Sequence, residues 1–162
     1  MRRQLKIEEM TDGFAIEINS WKYEYPYEMY SFDGDYEDYG QLMSGYYFAV
    51  TDETRKTVRN NVIGFFAIGP AAQKICDKSE DVFKDESFTD IAFGLRPDLT
   101  GKGIGRELVE VCISEAKSFF PEDGIRICVM KNNDRALRLY SNMGFEDVFE
   151  NDEYMIMTLK ND

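Results

Sequence analysis

The chain has 162 residues, 43% hydrophobic and 31% charged, a balance that suits one globular domain with a real core and excludes disordered and fibrous designs. Its formal net charge is −12, so a nucleic-acid partner, which needs a basic surface, is not expected. There is no histidine, and the three cysteines (Cys76, Cys112, Cys128) form no CxxC pair, which removes zinc sites and Ser-His-Asp or Cys-His catalysis. Any proton transfer must use carboxylates, tyrosine, lysine or water.

Arg2, Arg3 and Lys6 lead into Glu8 and Glu9 rather than into an apolar stretch, and no apolar run approaches a bilayer span. Neither a secretory leader nor a membrane partner is expected, and scattered thiols suit a reducing cytoplasm. Residues 5–9 alternate as a short strand. Over residues 8–20, Met10, Phe14 and Ile18 recur on one helical face. Residues 21–39 are tyrosine-rich and acidic, and Pro26 predicts a loop followed by a short helix. Residues 45–51 and 58–68 read as an antiparallel pair of strands joined by the polar run from Asp52 to Lys56. Residues 71–86 suggest a surface loop or short helix, and Phe88–Leu95 a strong strand ended by Pro97.

From Lys102 the period becomes helical, with Ile104, Leu108, Val111, Cys112 and Phe119 on one side. Pro121 and Gly124 close that helix, and residues 125–130 form a short buried strand. Asn132 or Asn133 can cap a further helix carrying Ala136, Leu137, Tyr140 and Met143 and stopping at Gly144. Residues 145–149 and 154–159 make two last strands. The order β-α-α-β-β-β-α-β-α-β-β predicts a single domain over residues 1–162, of the α/β (α+β) class. Its sheet is mixed and mostly antiparallel, with six to seven strands flanked by about four helices.

The charge is uneven. Residues 24–38 hold six acids and no base, while residues 96–106 hold three bases and one acid. The first region suits a cationic molecule and the second an anionic one. In the second, a strand, Pro97 and the run Thr100, Gly101, Lys102, Gly103, Ile104, Gly105, Arg106 open onto a helix. Glycines let backbone approach a bulky anion, and the first helical N–H groups point at it with the helix dipole behind them. A Walker loop would need Ser or Thr after Lys102, and the dinucleotide fingerprint would need GxGxxG where this chain has GxGxG.

The run from Gly94 to Leu108 resembles the acetyl-CoA motif of the GNAT superfamily of N-acetyltransferases. Asn133, Ala136, Tyr140, Gly144 and Phe145 resemble the second half of that signature, in the expected order and with one strand between. The family pattern has Gln or Arg where this chain has Thr100. The resemblance implies a pyrophosphate held by backbone amides of Gly101, Lys102, Gly103, Ile104 and Gly105, with Thr100 opening the turn and Lys102 and Arg106 adding charge. It implies a sheet splayed at the acetyl-CoA site, so that the backbone of Phe93, Gly94 and Leu95 runs alongside the cofactor. Asn133 would touch its arm, and Tyr140 would protonate the leaving thiolate.

On the amine side, Asp90 is the first candidate base, since similar sequences often carry Asp seven residues before the proline; Glu24 and Glu28 follow. Trp21, Glu24, Tyr27, Glu28 and Tyr30 combine aromatics and carboxylates that suit an ammonium group. The expected activity is acetyl transfer from acetyl-CoA to a primary amine, small or peptide-borne, by direct attack in a ternary complex, with a monomer or homodimer as the working form. A non-catalytic acyl-CoA-binding module and an interaction protein using its acidic tyrosine-rich face stand as the alternatives.

Overall fold

In the computed structural model, which describes residues 3–25, 27–57 and 61–161, the strands and helices follow the predicted order and fall into two compact units. The first unit comprises Met1–Ala67 and Phe93–Cys112, the second Ile68–Ala92 and Ile113–Asp162.

The first unit begins with β1 (Leu5–Glu9) and α1 (Asp12–Asn19). The helix starts later than the hydrophobic spacing predicts, because Glu9 is still paired in the sheet and Thr11 caps the helix, its Oγ1 accepting the Phe14 N–H at 3.2 Å. Phe14, Ala15 and Ile18 are its buried face. A 3-10 turn at Glu28–Tyr30 and α2 (Tyr36–Leu42) follow, as expected of a loop and a short helix; Pro26 itself lies outside the described residues. Strand β2 (Tyr47–Asp52) pairs antiparallel with β1 on one side and with β3 (Val62–Ile68) on the other. Residues 58–60, expected in the third strand, lie outside the described residues.

Strand β3 is covered on both faces, which explains its nearly continuous apolar run. Gly64 faces the Leu108 side chain of the following long helix, while Phe65 stacks edge-on against Phe32 at 5.4 Å and lies 6.1 Å from the Tyr47 ring. The end of β4 (Phe88–Leu95) belongs to this unit. A Cβ on Gly64 would lie 2.6 Å from the Gly94 carbonyl oxygen, and one on Gly94 would lie 2.4 Å from the Phe65 ring. Glycine at 64 lets the two backbones approach so closely, and glycine at 94 makes room for the Phe65 ring.

Helix α3 (Gly105–Phe119) buries Leu108, Val109, Cys112 and Ala116. Two residues assigned to that stripe lie off it: Val111 is half-buried, and Phe119, in the last turn, is 48% exposed. The true stripe follows i, i+4 from Ile104 through Leu108 and Cys112 to Ala116, with Val109 beside it.

In the second unit the start of β4 pairs parallel with β5 (Gly124–Met130) at Phe88–Gly124, Thr89–Ile125 and Asp90–Arg126. Strand β7 (Tyr154–Leu159) runs antiparallel between β5 and the edge strand β6 (Glu146–Glu150). Helix α4 (Asp134–Asn142) is capped by Asn133, whose Oδ1 accepts the Ala136 N–H at 3.2 Å. It ends in a Schellman turn: Phe145 N–H reaches the Tyr140 carbonyl at 3.0 Å, and Gly144 N–H the Ser141 carbonyl at 3.1 Å. The segment 71–86 holds parts of two 3-10 turns, Gly69–Gln73 and Asp81–Lys84, and its Ala72 is buried rather than on the surface.

The strand order is β1-β2-β3-β4-β5-β7-β6, with β4 shared by both units. The sheet is mixed, seven-stranded and mostly antiparallel, with four α-helices among the described residues, as the sequence predicts. No helix among them is long and apolar enough to cross a membrane.

The Gly64 contact yields a direct test. Gly64→Ala should lower the free energy of unfolding by about 2 kcal/mol, because its Cβ meets backbone that cannot swing away. Urea denaturation measures this, and an unchanged midpoint would contradict the close approach.

Candidate active site

The glycine-rich turn is built outward from the end of β4. The Arg96 N–H donates to the Ile63 carbonyl at 2.7 Å, tying the strand end to β3. Arg96 is buried; its guanidinium donates to the Val62 carbonyl at 3.3 Å and to the Asp98 carboxylate at 2.7 Å. Peptide groups alternate sides along a strand, so the Leu95 N–H and C=O face away from β3. The Leu95 carbonyl accepts the Tyr23 hydroxyl at 2.6 Å. Burial pushes the Tyr23 phenol well above its ordinary value, so it stays protonated and holds that bond.

The chain then turns through the 3-10 segment Pro97–Leu99. The Thr100 hydroxyl donates to the Pro97 carbonyl at 2.8 Å, so this side chain closes the turn. Gly101 and Gly103 take positive φ angles of 75° and 81°, which favour glycine. Gly101, Lys102 and Gly103 are exposed, whereas Ile104 is buried and pins the turn to the core. The Leu108 N–H donates to the Ile104 carbonyl at 3.0 Å, so the N–H groups of Gly105, Arg106 and Glu107 come before the first donor of the helical ladder. A Cβ on Gly103 would meet nothing within 4 Å, so space lies open beside the turn. An exposed turn, a helix start and open space fit a bulky anion such as a pyrophosphate. The one acid in the first turn of the helix, Glu107, is neutralised by Arg3 at 2.5 Å. Arg106 instead pairs along the helix with Glu110 at 3.0 Å.

Residues 14–145 match the model of the Acetyltransferase (GNAT) family. The chain belongs to that family. It is accordingly an acetyltransferase, and members of this family use acetyl-CoA as acyl donor. Solved structures with the same fold include a domain from Methanocaldococcus jannaschii (14% identity, TM-score 0.68, covering 98% of this chain and 99% of that one). The N-acetyltransferase PseH of Campylobacter jejuni is 18% identical with a TM-score of 0.66, covering 98% of this chain and 99% of that one. A chimera of the spermidine N-acetyltransferase SpeG of Vibrio cholerae and hSSAT is 19% identical with a TM-score of 0.64, covering 98% and 96%. No curated protein matches the chain.

The acyltransferase's remaining expected residues divide between the units. In the first, the loop after α1 is closed at its base: Lys22 Nζ donates to the Phe32 carbonyl, and the Tyr23 N–H donates to Ser31 Oγ at 2.8 Å. Trp21 is buried, with no hydrogen-bond partner on its indole N–H, and lines a cleft of about 480 Å³ with Glu17, Lys22, Arg96 and Asp98. Tyr27 and Tyr30 stack with centroids 6.5 Å apart, and Glu24 and Glu28 are exposed. In the second unit Asn133 is the helix cap, and Tyr140 is buried with its ring 5.8 Å from Phe145.

Asp90 has a different setting from the one its place in the sequence suggested. Its carboxylate is buried and receives Arg126 Nε at 2.6 Å, Arg126 Nη2 at 2.8 Å and Gln73 Nε2 at 2.8 Å. Arg126 also donates to the carbonyls of Val82 and Asp85 at 2.8 and 2.9 Å and lies over the Phe83 and Phe88 rings. Both Asp90 oxygens are thus engaged in fastening the segment after β3 to the sheet. The Cys128 thiol is pushed far above its ordinary value by its hydrogen bond with Cys76 and by burial, so it is held as a poor nucleophile.

The sequence does not mark Tyr23, Arg96, Gln73 or Arg126 as site residues. Each acts on a partner distant in sequence, and no local spacing signals it. Arg126→Leu should destabilise the protein by about 3–5 kcal/mol by leaving the Asp90 charge buried and uncompensated. Chemical denaturation measures the loss; a wild-type midpoint would contradict the structural role.

Proposed function

We propose that this acetyltransferase moves the acetyl group of acetyl-CoA to a primary amine by direct attack, within a single domain spanning the chain. The observation that carries the reading is the turn at Gly101 and Gly103, where the exposed residues Gly101, Lys102 and Gly103 lead into the start of α3 inside the family-matched region. Backbone N–H groups of Gly101, Lys102, Gly103, Ile104 and Gly105 hold the pyrophosphate, with Lys102 and Arg106 as supporting charges. Thr100 contributes by closing the turn. Phe93, Gly94 and Leu95 offer the arm their backbone, and Asn133 contacts it.

When bound, the thioester supplies an acyl carbon activated toward attack. The Leu95 N–H polarises its carbonyl oxygen, an arrangement supported by the strand alternation that turns this group away from β3. The amine nitrogen bonds to the acyl carbon, the carbon–sulfur bond breaks, and Tyr140 gives its phenolic proton to the departing thiolate. The amine must first lose a proton. Asp90, with both oxygens held by Arg126 and Gln73, is not the base we assign. That task passes to Glu24 or Glu28, each exposed and acting directly or through water.

The acceptor is a small amine or a peptide amine held by Trp21, Tyr27 and Tyr30 with Glu24 and Glu28, through cation–π contact and charge. One solved relative of the same fold is named a spermidine N-acetyltransferase, which supports the amine class. The three unbridged thiols support a cytoplasmic setting, and the working form is a monomer or homodimer.

Tyr140→Phe should lower turnover by about 100-fold while leaving acetyl-CoA affinity unchanged. Thiol release across a panel of polyamines, amino acids and peptides, paired with calorimetry, reads both quantities. Unaltered turnover would remove Tyr140 as the acid, and binding without thiol release across the whole panel would favour a non-catalytic acyl-CoA module.

A further inference from the structure

We propose that a basic cleft beside the glycine-rich turn binds a phosphate group through Arg3, Arg55 and Lys56, residues outside both sequence motifs. The cleft lies in the first unit and has a volume of about 570 Å³. Four bases from three segments line it: Arg3 before β1, Arg55 and Lys56 after β2, and Lys102 from the turn. In a chain of net charge −12 most of the surface repels anions, so this convergence of bases stands out as a place where one can approach.

The cleft is held in shape by Asp52. This residue is buried, and its Oδ1 accepts the N–H of Thr54 at 3.0 Å, the hydroxyl of Thr54 at 2.6 Å and the N–H of Gln4 at 3.4 Å. The Arg55 guanidinium approaches its other oxygen at 3.7 Å. Burial alone would raise the Asp52 carboxyl, but these hydrogen bonds and the Arg55 charge outweigh it and hold the group below its ordinary value. One buried carboxylate thus fixes both the chain after Arg3 and the loop bearing Arg55 and Lys56.

Glu107 does the same from the helix, holding the Arg3 guanidinium at 2.5 Å. The two acids that pair with cleft bases are therefore used internally. Lys56 and Lys102 are exposed and have no carboxylate within ion-pair distance among the described residues. Two held guanidinium groups and two uncommitted ammonium groups match a phosphate, whose several oxygens can accept from more than one cation at once. Leu99 and Ile104 give the cleft an apolar floor for the rest of a phosphorylated molecule.

The phosphate has two possible sources. It is either the 3′-phosphate of coenzyme A, which rests on the cofactor reading above, or a separate phosphate-bearing ligand, which does not. Calorimetry on the full chain with coenzyme A, dephospho-coenzyme A and inorganic phosphate separates them, using Lys56→Gln and Arg55→Gln with Lys56→Arg as the rescue.

If the cofactor supplies the phosphate, wild-type protein binds coenzyme A more tightly than dephospho-coenzyme A. Lys56→Gln then weakens coenzyme A binding about tenfold, the loss of one charge-assisted contact, and leaves dephospho-coenzyme A unchanged. If a separate ligand supplies it, inorganic phosphate binds protein already saturated with coenzyme A, and the glutamine variants lose that binding. Equal affinity of wild type and both variants for all three probes overturns the proposal. Wild-type protein that binds no coenzyme A overturns the cofactor reading instead, and the inorganic phosphate titration then decides the cleft alone. Lys56 is exposed, so its variant should keep the wild-type thermal midpoint and remain informative should Arg55→Gln fail to fold.

Discussion

The backbones of β3 and β4 meet where a Cβ on Gly64 would strike the Gly94 carbonyl oxygen, Gly94 leaves room for the Phe65 ring, and the geometry of the first unit depends on that approach. With the two strands drawn together, Arg96 can place its N–H on Ile63 and its guanidinium on Val62. The strand end is then fixed, and the chain must turn at once into α3. Ile104 anchors the far side of the turn in the core. Between these anchors Gly101, Lys102 and Gly103 are left exposed, with positive φ at both glycines. An anion site made of backbone needs such rigidity, because main-chain donors that move gain little from any one ligand position.

Charge follows the same division of labour. The acids that could disturb an anion near the turn are each given an internal partner: Glu107 has Arg3, Asp98 has Arg96, and Glu110 has Arg106. In the second unit Asp90 and Arg126 form a buried pair with additional donors and acceptors on both members. Such a pair contributes less net stability than its short distances suggest, since both ions were desolvated to make it. Its effect is to specify where the segment after β3 lies. In residues 24–38, Glu24, Glu28, Asp33, Asp35 and Glu37 are exposed, whereas Asp38 is buried.

Much of this was legible in the sequence where the signal was local. Element order, the strand Phe88–Leu95, a helix cap at Asn132 or Asn133 and the stop at Gly144 all come from periodicity, capping chemistry and glycine placement; the structure keeps them and settles the cap on Asn133. The glycine spacing, read together with the run ending at Phe145, pointed to the family that the match over residues 14–145 shows. Long-range partners were not legible. Asp90 reads as an available carboxylate until Arg126 and Gln73 are seen on it, and nothing near Tyr23 in sequence announces the Leu95 carbonyl. The basic cleft stayed hidden for the same reason, since Arg3, Arg55 and Lys102 are far apart along the chain. Phe119 was misplaced because hydrophobicity alone does not say where a helix outruns its partner.

The central claim is that main-chain N–H groups of the turn, rather than side chains, hold the cofactor. Titrating isotope-labelled protein with coenzyme A and following backbone amide resonances tests it most directly. The largest shifts should fall on Gly101, Lys102, Gly103, Ile104 and Gly105, saturating together with a single affinity. Saturable binding that leaves those five amides unmoved while shifting others would contradict it.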